Sequence, residues 1–449
     1  MSSMSGVRSE KRLEVLYVSY DGLLEPLGQS QIVRYVEGLA AEGLHMNVLS
    51  FEKSRDLENG QRRNLLREEL ESRGISWFPL RYHRHPRLLA TAWDVANGIA
   101  TGLKLAERYR PDVVHARSYV AGLMGLAFKA AGRSRFVFDM RGFWPEERVE
   151  LGLFQPQGLL YRASKLLENR LLATADHIVV LTESAKSILR EREAKARLIA
   201  QGAQGARRAR DVRETPMSVI PCCVDLERYR PLPPDPELSR RYGLDSSVVI
   251  GNIGAFNHRY LAQEMFRFAF HLKTHRPDLR FVYLTEQDPA AVRSTAKGAG
   301  FGEEDVFVLR AEPEDVPRWL SLFRLGVFFL RPSYAAKASS FTKLGEFLAA
   351  GVPVVTNTGV GDVDKILGSD RCGLLLPGLT DRELSAFARK ALPLLEGDRV
   401  PAEIRSQCRT AAVAHFALAE GVARYRSLYD SVASVPRPTA EAQVAAGVG

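Results

Sequence analysis

Cysteine is scarce in this 449-residue chain: Cys222, Cys223, Cys372 and Cys408 form no Cys-x-x-Cys pair and have no histidine at zinc-like spacing. That pattern speaks against a zinc ribbon or a redox dithiol. The adjacent Cys222 and Cys223 could bridge only as a strained ring, so all four read as reduced structural thiols. Also missing are an apolar run long enough to cross a bilayer and, in the first twelve residues, the apolar core of a signal peptide. The expected address is therefore cytoplasmic. No Gly-x-x-x-x-Gly-Lys-Ser/Thr loop exists, and no Ser-His-Asp or Cys-His arrangement has a context that supports a nucleophile. Gly298-Ala299-Gly300-Phe301-Gly302 follows a helical pattern rather than a strand, so it fails as a dinucleotide fingerprint. Asp362-Val363-Asp364 follows Gly361 at a helix start, where aspartate caps the helix, and no metal is expected there.

What is present is a chain too long for one ordinary core, with the composition of a soluble globular protein. Its net charge of +9 suits an anionic membrane surface, a polyanionic substrate or nucleic acid. The densest basic piece, 190–213, reads as a helix end running into a mobile insertion, either a solvated loop or a contact for a membrane or a partner. No interleaving of basic and aromatic residues supports nucleic acid.

Short β-branched runs alternate with longer amphipathic ones from end to end, the pattern of parallel βαβ units. Strands are predicted at 13–19, 46–51, 113–116, 136–140, 177–182 and 219–222, with helices at 30–42, 88–108, 120–131, 159–174 and 183–192. After Asp225 a stretch with four prolines and several charges interrupts any regular element and reads as a linker. The alternation then restarts, with strands at 248–253, 281–284, 306–309, 326–330, 352–356 and 373–376. The predicted division is a first domain at 12–226, a linker at 227–247, a second domain at 248–414, a helix crossing back at 415–433 and a disordered tail at 434–449.

The most informative segment runs from Ser339 to Leu367. Ser339 or Ser340 can cap a helix whose buried face is Leu344, Phe347 and Leu348, and Gly351-Val352-Pro353 ends it. Thr342, Lys343 and Glu346 then lie in its first turns, where free N–H groups and the positive pole bind phosphate. Capping and a solvated Lys-Glu pair would explain the same residues without a ligand. In the first half, Gly28-Gln29-Ser30 opens a helix after the first strand, either a close approach for a phosphate or a loop glycine with a capping serine. Phe138-Asp139-Met140-Arg141-Gly142-Phe143-Trp144 leaves the carboxyl end of a strand, the edge on which α/β sheets place ligands. Arg141 is either a charge at a reaction centre or half of an ordinary loop-closing ion pair. Trp144 is either a sugar platform or a core residue. His115 and Arg117 end another strand on that edge, and His115 is either a ligand contact or an ordinary core or rim histidine.

Several of these runs together resemble the retaining GT-B glycosyltransferases of family 4. Thr342-Lys343-Leu344-Gly345-Glu346-Phe347-Leu348-Ala349-Ala350-Gly351-Val352-Pro353, followed by Gly361-Asp362-Val363, is similar to that family's donor-site signature. The run from Asp21 to Gln31 and the run from Phe138 to Trp144 are similar to a bacterial branch that builds surface polysaccharides. The stretches from Ala175 to Thr182 and from Ile220 to Asp225 fit as well, so the resemblance spans about 13–430.

The resemblance implies two Rossmann-like domains facing across a cleft, with the acceptor on the first and a nucleotide-sugar on the second. It implies that Glu346 bonds the ribose hydroxyls, and that Thr342, Lys343 and helix amides hold the diphosphate, with Gly28, Gly254 and Arg259 also at the donor. His115, Arg117, Asp139 and Trp144 would meet the acceptor, a glycan or a polyprenyl-linked hydroxyl compound. Arg141 stands where many relatives have a histidine facing the reacting sugar, which makes Arg141, Lys343 and Glu346 the candidates for the chemistry. No cofactor or metal is implied. Two departures stand out: Ala338 replaces a second glutamate, and Asn252 and Asn257 replace a common arginine and lysine, leaving Arg259 or His258 as substitutes. A nucleotide-sugar epimerase of the same fold, or a basic protein binding membrane or nucleic acid, are the alternatives.

Overall fold

A computed structural model describes residues 12–132, 134–209, 214–397 and 399–435. Among these residues thirteen strands fall into two parallel sheets. The first contains β1 (Glu14–Ser19), β2 (His45–Glu52), β3 (Ser76–Arg81), β4 (Val113–Arg117), β5 (Arg135–Asp139), β6 (His177–Val180) and β7 (Met217–Val219), in the order 3-2-1-4-5-6-7. The second contains β8 (Val248–Ile253), β9 (Leu279–Leu284), β10 (Val306–Leu309), β11 (Phe323–Val327), β12 (Val354–Asn357) and β13 (Gly373–Leu376), in the order 10-9-8-11-12-13. Helices cover both faces, which is why β4, β5 and β8 are buried at every residue rather than at alternate ones. In each sheet the order of winding reverses once, between β1 and β4 and between β8 and β11. Such a switch point opens a crevice at the carboxyl ends of the strands, where ligands bind. The architecture is the expected GT-B pair of Rossmann-like domains.

Local departures from the sequence expectations have physical causes. β3 was not foreseen because it contains Pro79, which cannot donate to a ladder; it is tolerated because β3 is the edge strand, paired only with β2. The first helix begins earlier than 30, with Pro26 at its first position, and passes through a π-helical turn, Gln29–Val33, into Arg34–Ala41. The basic piece does not end its helix near 192: Glu183–Ala209 is one helix, as its Ala, Arg, Glu and Lys content favours, and 210–213 lie outside the described residues. Nor is 227–247 without regular structure. Asp235 accepts hydrogen bonds from the N–H groups of Glu237 and Leu238 and starts a helix, Pro236–Arg241. Leu238 and Leu244 from this stretch join the second domain's core beside Trp319.

The chain crosses between domains twice, side by side. Val224 donates to the Phe416 carbonyl and accepts from Leu418, forming a bridge with Ala417 where the helix Ala402–Phe416 gives way to Leu418–Ser434. That last helix returns to the first domain. Its stripe of Val422, Tyr425, Leu428, Tyr429 and Val432, at helical spacing, enters the core with Val15, Val36 and Val113. Burial of each aliphatic member is worth about 1.5–3 kcal/mol. The predicted tail lies almost wholly outside the described residues.

Candidate active site

On the second domain the site is built around the helix Thr342–Ala349. Neither Ser339 nor Ser340 caps it; Phe341 occupies the cap position and no side chain satisfies the first amides. Both hydroxyls are used elsewhere: Ser340 accepts from the backbone N–H of Cys222 across the cleft (3.1 Å), and Ser339 accepts from Arg259 Nη2 (2.7 Å). The positive end of the helix is thus left for a ligand.

Lys343 stands one residue inside this end and is 7% exposed. Its Nζ donates to Asn252 Oδ1 (3.1 Å) and lies 4.0 Å from the ring centre of Tyr260. Neither partner carries a full negative charge, so burial pulls its pKa from 10.5 down to about 7, against the opposing charge of Glu346. Gly254 follows β8 with φ +96, and a Cβ built on it would stand 3.7 Å from Lys343 Nζ. A side chain there would be strained by that φ and would lie in contact with the ammonium. Glu346, one turn on, is raised by burial, with the Tyr229 hydroxyl, Lys343 and Arg228 opposing. Thr342 begins the helix and is half-buried.

Asn252 and Asn257 each have a structural task. Asn252 holds Lys343 and accepts from the Ile253 N–H (2.9 Å), while Asn257 accepts from the Arg259 N–H and shapes the loop that presents this arginine. Arg259 in turn reaches across the cleft to Glu147 (Nη1 to Oε1, 3.6 Å). Glu147 itself is pushed up by burial, with Arg259 opposing.

On the first domain, Arg141 sits in the left-handed region (φ +59) directly after β5, followed by Gly142 at φ +145. This strained pair turns the chain toward the helix Trp144–Glu150 and swings the guanidinium over the strand end. Arg141 Nη2 donates to Cys222 Sγ (3.2 Å) and Nη1 lies 3.6 Å from Asp139. Cys222 links Arg141 to Ser340, so the arginine stands two contacts from the start of the Thr342–Ala349 helix. Arg117 is enclosed between Asp21 (3.5 Å) and Asp139 (4.0 Å), and its Nε and Nη1 make no hydrogen bond among the described residues.

Five residues singled out from the sequence have tasks within the protein. His115 and Asp139 do not face an acceptor: both are enclosed, at 0% and 1% exposure. His115 stacks on Tyr17 and bonds the Tyr429 hydroxyl through Nδ1 (2.8 Å), and burial lowers its pKa against the pull of Asp139. Asp139 Oδ2 accepts from Tyr425 (3.1 Å) and lies 3.4 Å from His115; burial alone would raise its pKa, but Arg141, His115 and Arg117 hold it down. These two residues fasten the returning helix and position the arginines. Trp144 is used internally as well, stacked with Tyr119 (5.6 Å) and covered by Arg148 (4.9 Å). Gly28 is needed for packing, since a Cβ there would fall 1.9 Å from the Gly22 carbonyl oxygen. Finally, Asp362 caps not its own helix but one in the other domain, accepting from the N–H groups of Glu183 (2.7 Å) and Ser184 (3.1 Å). Asn252, Tyr229, Tyr260, Glu147 and Tyr425 were missed because their partners lie far away in sequence; only the amide at 252, replacing an expected cation, hinted at a role.

Comparison with known proteins follows the same division. Residues 28–202 match the glycosyl transferase 4-like domain and residues 247–397 match the glycosyl transferases group 1 domain. No curated protein sequence matches the chain. Among solved structures it is similar to sucrose-phosphate synthase from Thermosynechococcus elongatus (TM-score 0.67, 15% identity, 95% of this chain and 100% of that one). It is similar too to a glycosyltransferase from Rickettsia africae (0.65, 13%, 95% and 100%) and to HepE from Anabaena in complex with UDP-glucose (0.65, 16%, 94% and 100%).

Proposed function

We infer, for a chain that is a glycosyltransferase of the GT-B fold, that it moves a sugar from a nucleoside-diphosphate donor, by likeness to the UDP-glucose complex a UDP-sugar, to an acceptor hydroxyl. The observation that carries this reading is Lys343, a buried ammonium without a carboxylate at hydrogen-bond distance, held by an amide oxygen at the mouth of an uncapped helix. As the sugar becomes oxocarbenium-like, the leaving diphosphate gains charge, and preorganised cations and helix amides aimed at it lower the barrier. Lys343, Arg259 and the first amides of the Thr342–Ala349 helix supply that charge from the protein itself, and Glu346 takes the ribose hydroxyls. Arg141 provides the charge opposite the reacting sugar, and Arg117 a polar contact for the acceptor.

The family resemblance extends this reading to transfer with retention, without a metal, onto a glycan or polyprenyl-linked acceptor in surface-polysaccharide synthesis at the cytoplasmic face. Closure of the domains excludes water and suppresses hydrolysis. A thermal-shift screen against free nucleotides and nucleotide-sugars, followed by turnover with and without chelator, tests it. The expected outcome is a raised midpoint with one nucleoside diphosphate and its sugar. Near-normal transfer in both Lys343→Ala and Glu346→Ala would overturn the donor site, and isomerisation of the donor without any acceptor would replace transfer by epimerisation.

A further inference from the structure

The helix Arg87–Tyr109 is apolar on two opposite faces. One face, with Ala90, Asp94, Gly98, Gly102 and Leu105, is buried in the first domain. Its glycines allow that close fit, because a Cβ at Gly98 or Gly102 would lie 2.6 Å from Met124 or 2.2 Å from Phe128. On the other face Leu89, Ala92, Trp93, Ala96, Ala100 and Leu103 recur at three- and four-residue spacing, and all are exposed. Leu88 borders this stripe, and Leu88, Leu89 and Trp93 are 69%, 71% and 64% exposed. A stripe of this kind, roughly 20 Å long by helical rise, is not a scatter of single surface leucines.

The loop that enters the helix is strongly basic. Arg81, Arg84, His85 and Arg87 are exposed, and no acidic residue stands between Glu71 and Asp94. Asp94 is itself buried and spent, bonding the Tyr20 hydroxyl (2.9 Å) and both the backbone N–H (3.0 Å) and the ring of His83 (2.6 Å), which fixes the loop against the domain. No ion pair among the described residues neutralises Arg84 or Arg87. Arg148, ahead of the exposed Leu151 and Leu153, is close enough to Arg87 for the two charges to repel. The loop follows β3, so it lies on the sheet edge that also carries Arg117 and Arg141.

We propose that this face docks the protein on an anionic lipid surface, with the helix lying in the interface and its Leu88, Leu89 and Trp93 end inserted beneath the head groups that Arg84 and Arg87 contact. Leucine and tryptophan beside arginine suit that boundary, where an apolar body and a cationic tip are both satisfied. The cleft edge then faces the lipid, and a lipid-borne acceptor would reach Arg117 and Arg141 without leaving the membrane; this last consequence rests on the transfer reading above.

The test is co-sedimentation of the full chain with vesicles of phosphatidylcholine mixed with phosphatidylglycerol, and with phosphatidylcholine alone. Binding is expected to the mixed vesicles, weakened by salt. Leu88→Ser/Leu89→Ser/Trp93→Ser and, separately, Arg84→Glu/Arg87→Glu should each reduce it roughly tenfold or more. Trp93→Phe should remove the vesicle-induced blue shift of fluorescence while keeping the binding. Failure of the wild type to bind, or equal binding by all variants, overturns the proposal. So does a dimer in sedimentation velocity that the triple variant dissolves while no vesicle binding occurs, which would make a second copy the occupant. Nucleotide-induced thermal shift, read on the same variants, reports the donor site separately: its loss in the wild type would sink the donor reading and leave the docking surface standing.

Discussion

The two sides of the cleft handle charge in opposite ways. On the second domain Lys343 is buried against an amide and an aromatic ring, with a pKa pulled down to about 7. On the first, Asp139 is buried among Arg141, Arg117, His115 and Tyr425 and is held as a carboxylate. The first has no counter-charge at hydrogen-bond distance; the second sets a carboxylate against two guanidiniums, although Asp139 Oδ1 and Arg117 Nε and Nη1 make no hydrogen bond among the described residues. A charge left uncompensated is a candidate ligand contact, whereas opposite charges paired within the protein fasten the fold. Motif position alone does not distinguish the two: His115 and Asp139 lie on the same sheet edge as Arg141 and are enclosed.

The sharpest way to break this comparison is Lys343→Met. Transfer should fall about 10³-fold, while the ligand-free protein becomes more stable, on the order of 2–4 kcal/mol at neutral pH, because a costly buried ammonium is removed. The sign follows from linkage: folded Lys343 binds its proton less readily than the unfolded chain does, so its cost is full below pH 7 and fades as pH rises toward 10.5. Denaturant melts across that range check it, and a destabilised variant would mean that the lysine is structural. Asp139→Asn should do the reverse, costing about 3 kcal/mol of stability by leaving two buried guanidiniums without their carboxylate. If it cost nothing, the network would not be what fastens the returning helix.

A smaller effect concerns pH. Donor phosphates would restore the charge on Lys343, so binding takes up a proton wherever the empty site is neutral. Affinity should be level below pH 7 and fall by up to about tenfold per unit above it; calorimetry in buffers of different ionisation heat reads the proton directly. Lys343→Arg should flatten the profile. Smallest of all, Glu147→Gln should release Arg259 from its cross-cleft pair and tighten donor binding only a few-fold, as expected for a half-exposed ion pair. A weakened donor would show instead that Glu147 aims Arg259 at the phosphate.

Much of the second domain was legible because its information is local. β8, β10 and β13 match the predicted strands residue for residue, and the helix Thr342–Ala349 is announced by residues within one turn of each other. What stayed hidden depends on partners distant in the chain. Tyr425 meets Asp139 across 286 residues and Tyr429 meets His115 across 314, so no window around either motif shows that they are enclosed. Asn252 had the same problem on a shorter scale, 91 residues from the lysine it holds. β3 escaped because its proline breaks a rule that applies to interior strands and not to the edge.

Asp362 joins these distances to motion. Because the carboxylate that terminates the Glu183–Ala209 helix belongs to the opposite domain, parting the domains exposes the first turn of that helix. Glu183 and Ser184 therefore carry two amide hydrogens whose exchange with solvent keeps time with the cleft: slow while it is shut, faster with each excursion. The protein contains its own gauge of opening, readable without a label and without a substrate.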